Sequence, residues 1–185
     1  MAHDTHHHHK ESFFTKYIFS QDHKMIGKQY LLTAIFMGAI GITLSALFRM
    51  KLGWPDTQFS ILESILGSDA APDGMLDSNW YLGLVTLHGT IMVFFVLTGG
   101  LSGTFSNLLI PLQVGARDMA SGLMNMIAYW LFFLSSVLMA ASLFIETGPA
   151  MAGWTVYPPL SVLEEFQPGS GLGMTLWLLL SLIHI

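Results

Sequence analysis

One imidazole, His88, stands in the run "LVTLHGTIMVFFVLTGGLSG" over residues 84–103, which is otherwise uncharged and mostly apolar. A polar ring in hydrocarbon is costly unless something binds it, so such a histidine marks a candidate functional site. Two readings stand at this point: a ring packed and bonded to a neighbouring helix carbonyl, or a ligand. Other polar groups beside apolar runs that could take part are Arg49, Asn107, Asp118 and Asn125. For Arg49 the plainer reading is a helix-end cation that snorkels to water, and for Asp118 an N-cap or a solvated loop carboxylate. The chain has no cysteine. That excludes disulfides, thiolate metal sites and thiol catalysis, and leaves histidine and carboxylates as the main metal ligands. The tract His6 to His9 reads as a low-complexity tail and is assigned no function.

The elements that must position these groups follow from hydropathy. Only 10% of the 185 residues are charged and 52% are hydrophobic, with a mean hydropathy of +0.57. Soluble domains carry about 25% charged residues, so this is an all-α polytopic membrane protein. The net charge of −5 resides in the loops, and no basic stripe suits nucleic acid. The first thirty residues lack the apolar core and small-residue cleavage site of a secretory signal. Gln29 to Phe48 gives a twenty-residue apolar run, the length that crosses about 30 Å of hydrocarbon. Ser78 to Ala116 is longer and predicts a tilted helix from about Trp80 to Ile110, ended near Pro111. Met119 to Ile145 is a third run, and Gly171 to Ile185 begins a fourth that stops without a polar flank, as a truncated span would. Residues 1–27 form an N-terminal segment and 28–185 a transmembrane domain, with helices at about 28–49, 80–110, 120–145 and, incomplete, 171–185.

Placing the N-terminus and the second-to-third loop on one side gathers Lys10, Lys16, Lys24, Lys28 and Arg117 there, against Arg49 and Lys51 on the other. That asymmetry predicts a cytoplasmic N-terminus. Trp54, Trp80, Trp154 and Tyr157 then fall at the outer interface. Phe59 to Leu66 predicts a short amphipathic helix on the membrane surface, and the Pro- and Gly-rich "GWTVYPPLSVLEEFQPGSG" an ordered outer loop without helix. Gly99 and Gly103 form a GxxxG pair, read as a close helix-packing face. Helical rise puts His88 about 12 Å below Trp80, and Asn107 about 28 Å below His88 at the inner surface. Two polar zones result: His88 with Arg49 in the outer half, and Asn107, Asp118 and Asn125 at the inner mouth.

The segments "DHKMIGKQYLL", "LSALFRMKLG", "TLHGTIMVFF", "NLLIPLQVGARDMA", "LMNM" and "GWTVYPPL" together resemble the N-terminal part of subunit I of the haem–copper respiratory oxidases, in the cytochrome c oxidase branch. The resemblance implies the first three helices and part of the fourth of a twelve-helix bundle. It implies that His88 is an axial ligand of a low-spin haem, haem A in that branch, and that Arg49 bonds its formyl group. It likewise implies that Asp118 stands at a proton-channel mouth, with Asn107 and Asn125 as its asparagines and Tyr30 nearby. The high-spin haem, the copper and the ligands that reduce oxygen lie, by the same likeness, outside these residues, so the fragment is not expected to be catalytic alone. The implied activity is electron transfer from cytochrome c to O2 coupled to proton pumping, with oxidase subunits II and III as partners, in the inner (plasma) membrane of a bacterium. "ARDMASGLMNM" departs from the family's pattern after the alanine, the first-to-second loop is longer, and "SLIHI" does not continue the fourth helix as the family does.

Two rivals remain at this level. A quinol oxidase of the same superfamily would share every motif quoted. A small b-type cytochrome would use His88 and His184 across one iron, but their predicted depths, about 12 and 20 Å, disagree with the ~4 Å that two axial nitrogens allow.

Overall fold

The computed structural model describes residues 12–145, 148–163 and 171–184, with only the backbone described for 182–184. The His6–His9 tract, Lys10 and Ile185 lie outside the described residues. Among these, every regular element is helical. Three helices are long and apolar enough to cross a membrane: His23–Gly53, Ser78–Val114 and Gly122–Ser142. They are called here the first, second and third spans. A π-helical turn, Phe14–Ile18, precedes them. A short helix, Ser60–Leu66, lies in the first connection, where the sequence predicts one, and a final helix, Gly171–His184, packs on the third span.

The first span begins at Asp22, whose carboxylate accepts the Lys24 N–H. The helix therefore starts several residues ahead of the apolar run. Its 31 residues make about 46 Å at 1.5 Å per residue, so polar turns extend past the hydrocarbon at both ends.

The second span differs from expectation at its end. Pro111 does not stop it; the helix continues to Val114. Gly115 takes the left-handed conformation at φ 70, the Ala116 N–H returns to the Pro111 carbonyl at 2.9 Å and the Gly115 N–H to that of Leu112 at 3.4 Å. This Schellman closure needs a glycine there and satisfies the last carbonyls. A proline three residues from such an end removes a single helix bond, which explains why the helix passes through it.

Its middle, Ile91–Ser102, is π-helical. Thr90 and Thr104 flank this stretch and return their hydroxyls to the carbonyls four residues back, at 2.8 and 2.6 Å, competing with the backbone ladder on both sides. The wider turn changes which way the glycines face. A Cβ on Gly99 would strike Phe132 of the third span, whereas on Gly103 it would lie 2.7 Å from Tyr30 Cδ1 of the first. The GxxxG pair thus serves two neighbours instead of forming one face. Between them, Gly100 admits Ala34. Small residues let backbones approach where lipid offers no hydrophobic drive to associate. Phe95, Ile91, Leu87, Met37 and Met139 fill the seam and are fully buried.

The outer loop corrects a second expectation. Trp154 is not at the outer helix ends: its ring lies against Gly89 and pairs with Phe94 at 6.3 Å. Gly89 is eleven residues inside the second span, about 16 Å along it. The loop is drawn in because Gly83 leaves room for Pro149 and the Thr86 hydroxyl accepts the Gly153 N–H at 2.9 Å. Ala150, Met151 and Ala152 are buried as a result.

Candidate functional site

His88 sits where the first and second spans touch. Its Nδ1 is 2.8 Å from the Gly41 carbonyl oxygen. A carbonyl cannot donate, so the bond fixes the proton on Nδ1, and in the neutral ring Nε2 keeps its lone pair. Among the described residues Nε2 has no hydrogen-bond partner. The first span comes this close because Gly41 has no side chain: a Cβ there would meet Met92 Sδ at 3.0 Å and Ile91 Cγ2 at 3.2 Å. Phe48, two turns further along the first span, sets its ring edge-on to the imidazole at 5.7 Å. The arrangement is compatible with both readings of His88. The ring is bonded to a helix carbonyl, and that bond leaves the other nitrogen able to ligate a metal, as histidine ligands are oriented elsewhere.

Arg49 follows Phe48 in the last turns of the first span. It is exposed and, among the described residues, forms no hydrogen bond or ion pair. It stands eight residues from Gly41, about 12 Å along the helix towards its C-terminal end. Its guanidinium is free to donate to a group bound between His88 and that end.

The inner zone is connected instead. The Asn125 amide donates to Asn107 Oδ1, and the Asn107 amide donates to the Gly103 carbonyl at 2.8 Å. Gly103 is the residue against which the Tyr30 ring lies. Asn107 is fully buried beside Gly27 of the first span. Asp118 is exposed and accepts the Met119 N–H at 2.8 Å and the His23 N–H at 3.3 Å. The first span therefore orders these groups like rungs: Asp118 at His23, the asparagine pair at Gly27, Tyr30 next. The steps are about 6 and 4.5 Å. One turn deeper, Thr33 Oγ1 and the Tyr129 hydroxyl lie 3.2 Å apart.

His23 has a larger part than the sequence reading assigns it. It is 2% exposed, its Nε2 donates to the Arg117 carbonyl at 3.3 Å, and its Nδ1 is buried without a partner. Its donor atoms and those of Asp22 and Asp118 lie within 4.8 Å of one another. The signal available in sequence was its spacing of four and seven residues from Gly27 and Tyr30, which puts all three on one face. Thr33 shares that face and was missed for want of a charge.

The final helix reports on His184. Trp177 Nε1 donates to Thr90 Oγ1 at 3.0 Å, so the two positions are level. His184 lies seven residues beyond Trp177 and His88 two residues before Thr90, in helices that run the same way. Their backbones are therefore offset by about 13 Å along the bundle. The His184 side chain is outside the described residues.

The family described as Cytochrome C and Quinol oxidase polypeptide I matches residues 25–185. The chain belongs to the haem–copper oxidase subunit I family. It is 43% identical over 170 residues to the alternative cytochrome c oxidase subunit 1 of Bradyrhizobium diazoefficiens, covering 92% of this chain and 26% of that protein. It is 35% identical over 179 residues to cytochrome c oxidase subunit 1 of Cereibacter sphaeroides, covering 86% of this chain and 31% of that one. A probable quinol oxidase subunit 1 of Staphylococcus haemolyticus is 38% identical over 158 residues. The chain spans about a quarter to a third of the length of the first two relatives. The family implies haem and copper. Of the residues present, the donor set and free Nε2 of His88 fit one axial bond to a haem iron.

Proposed function

We propose that this chain is the N-terminal part of the catalytic subunit of a terminal oxidase that passes electrons from cytochrome c to O2 and couples the reaction to proton pumping. The observation that carries this is the His88 imidazole, held by the Gly41 carbonyl with Nε2 left as a lone-pair donor inside a membrane bundle. His88 would hold the iron of the low-spin haem, and Arg49 would bond a substituent on its outer edge. Bound there, the haem supplies one-electron transfer. What this chain's residues do is fix the ring tautomer and orientation through the Gly41 carbonyl and close the seam with Ile91 and Phe95.

Asp118, Asn107, Asn125 and Tyr30 would form the entrance through which protons enter from the cytoplasmic side. Asp118 collects them at the exposed end and the buried amides orient water behind it, a role that the stepped placement along the first span supports. The cytoplasmic N-terminus, the bacterial plasma membrane, and association with subunits II and III and with cytochrome c belong to the same reading. A quinol donor is the alternative, since a relative named as a probable quinol oxidase subunit 1 matches these residues as well. The b-type cytochrome reading is opposed by the offset between His88 and His184.

The test is to reconstitute the 185-residue chain in detergent with haem and record the reduced spectrum, with and without His184→Ala. No stable six-coordinate signal is expected, because the partner ligand lies elsewhere in the subunit. A sharp bis-histidine spectrum that vanishes in His184→Ala would replace this reading by the small cytochrome.

A further inference from the structure

The N-terminal turn, Phe14–Ile18, does not extend away from the bundle. Gln29 of the first span donates its amide to the Tyr17 carbonyl at 2.6 Å and to that of Ile18 at 3.3 Å. Trp130 of the third span donates its indole N–H to the same Ile18 carbonyl at 3.2 Å, and Phe19 packs on the Trp130 ring at 5.9 Å. Two spans thus hold one short turn against their sides.

The depth of that attachment is set by the helices. Gln29 is six residues inside the first span and Trp130 eight inside the third, so the turn lies about 9–12 Å from their inner ends. A first span of about 46 Å centred on about 30 Å of hydrocarbon overhangs it by about 8 Å at each end. The turn is therefore level with the boundary between hydrocarbon and headgroups.

What it presents there is aromatic. Phe13 is 64% exposed, Phe14 62% and Phe19 55%, and Tyr17 is partly exposed. These rings would be out of place in water but suit the boundary, where aromatic side chains concentrate. Lys16 projects from the same turn with its ammonium 5.3 Å above the Tyr17 ring, and exposed Lys24 and Lys28 follow at the same end. The turn also closes the inner end of a groove of ≈ 640 Å³ between the first and third spans, with Thr33, Phe36 and Phe133 among its walls.

We infer that Phe13–Phe19 is an interfacial anchor: its aromatic rings enter the boundary of the leaflet on the N-terminal side, and Lys16 takes the phosphate of an anionic phospholipid. Charge complementarity and the depth fixed by Gln29 and Trp130 select the bilayer as the occupant. The anchor would set how far the first span, with Asp118 at its end, stands out of the membrane.

The chain has no cysteine, so Phe14→Cys and, independently, Phe13→Cys each give a single site for an environment-sensitive fluorophore, and the ring contacts they give up are with each other and with Tyr17 inside the same short segment. The labelled full chain is reconstituted in phosphatidylcholine vesicles with and without phosphatidylglycerol. The expected result is strong quenching by lipids carrying a nitroxide near the glycerol end, weak quenching by a nitroxide near the methyl end, and little by aqueous iodide. Lys16→Glu should abolish any deepening caused by phosphatidylglycerol. Quenching by iodide without quenching by lipid would overturn the inference and place the turn in water. Protection from both would overturn it in favour of a protein partner covering the turn.

Discussion

The two ends of the second span treat polar groups in opposite ways. Around His88 a single ring is bonded through one nitrogen to Gly41 O and packed by Phe48, with the other nitrogen left without a hydrogen bond. Around Asn107 nearly every polar atom is spent on a neighbour, from Asn125 through Asn107 to Gly103. The uncommitted nitrogen suits the metal-ligand role proposed for His88. The hydrogen-bonded sequence of polar groups ending in an exposed carboxylate suits the proton-transfer role proposed for Asp118, Asn107 and Asn125. Removing a group should therefore have a different consequence at each end: loss of a bound group at the outer one, slowed transfer or loosened packing at the inner one.

The largest effect is expected from His88→Ala in the full-length subunit. The low-spin haem signal should disappear from the reduced spectrum, and the deleted ring should leave a cavity that loosens the seam with Phe48. A retained low-spin band would mean that His88 does not hold that haem. Next comes Asp118→Asn, which should slow proton-coupled turnover by roughly 10²-fold, the scale of a lost proton-transfer group, with the haem spectrum unchanged. Normal turnover and pumping in that variant would remove the channel mouth. Asn107→Leu leaves the Asn125 amide without its acceptor, at an expected cost of about 1–3 kcal/mol. Thermal unfolding in detergent would show the loss, and an unchanged midpoint would mean that the asparagine pair is not structurally coupled. The smallest effect is expected from Arg49→Met, which should shift the low-spin absorption band and potential without expelling the haem, since directional donation from a guanidinium is removed. An identical spectrum would reduce Arg49 to a snorkelling cation.

Much of this was legible in the sequence because hydropathy and rise per residue are nearly context-free. They located three spans, the short Ser60–Leu66 helix and the separation of His88 from Asn107. The parts that were not legible depend on contacts between distant segments. Pro111 reads as a stop until Gly115 and Ala116 are seen closing the helix behind it. Trp154 reads as an interface residue until Gly83, Thr86 and Gly89 are found to make a slot for its loop. Gly99 and Gly103 read as one face because an α-helical period was assumed, and the π stretch divides them. His23 reads as one residue of an N-terminal segment that carries several lysines, and only the folded chain shows its ring buried and bonded to the Arg117 carbonyl. The acceptor that orients His88 is a glycine carbonyl, which no side-chain motif can reveal.

His88 is proposed to stand in the membrane to bind iron. The most direct measurement is chemical rescue. His88→Gly in the full-length subunit opens a space for free imidazole beside the Gly41 carbonyl, and the reduced spectrum is recorded while imidazole is titrated in. The low-spin haem signal is expected to be absent at first and to return saturably with imidazole. A His88→Gly protein that keeps its low-spin signal with no imidazole present would contradict iron ligation by His88.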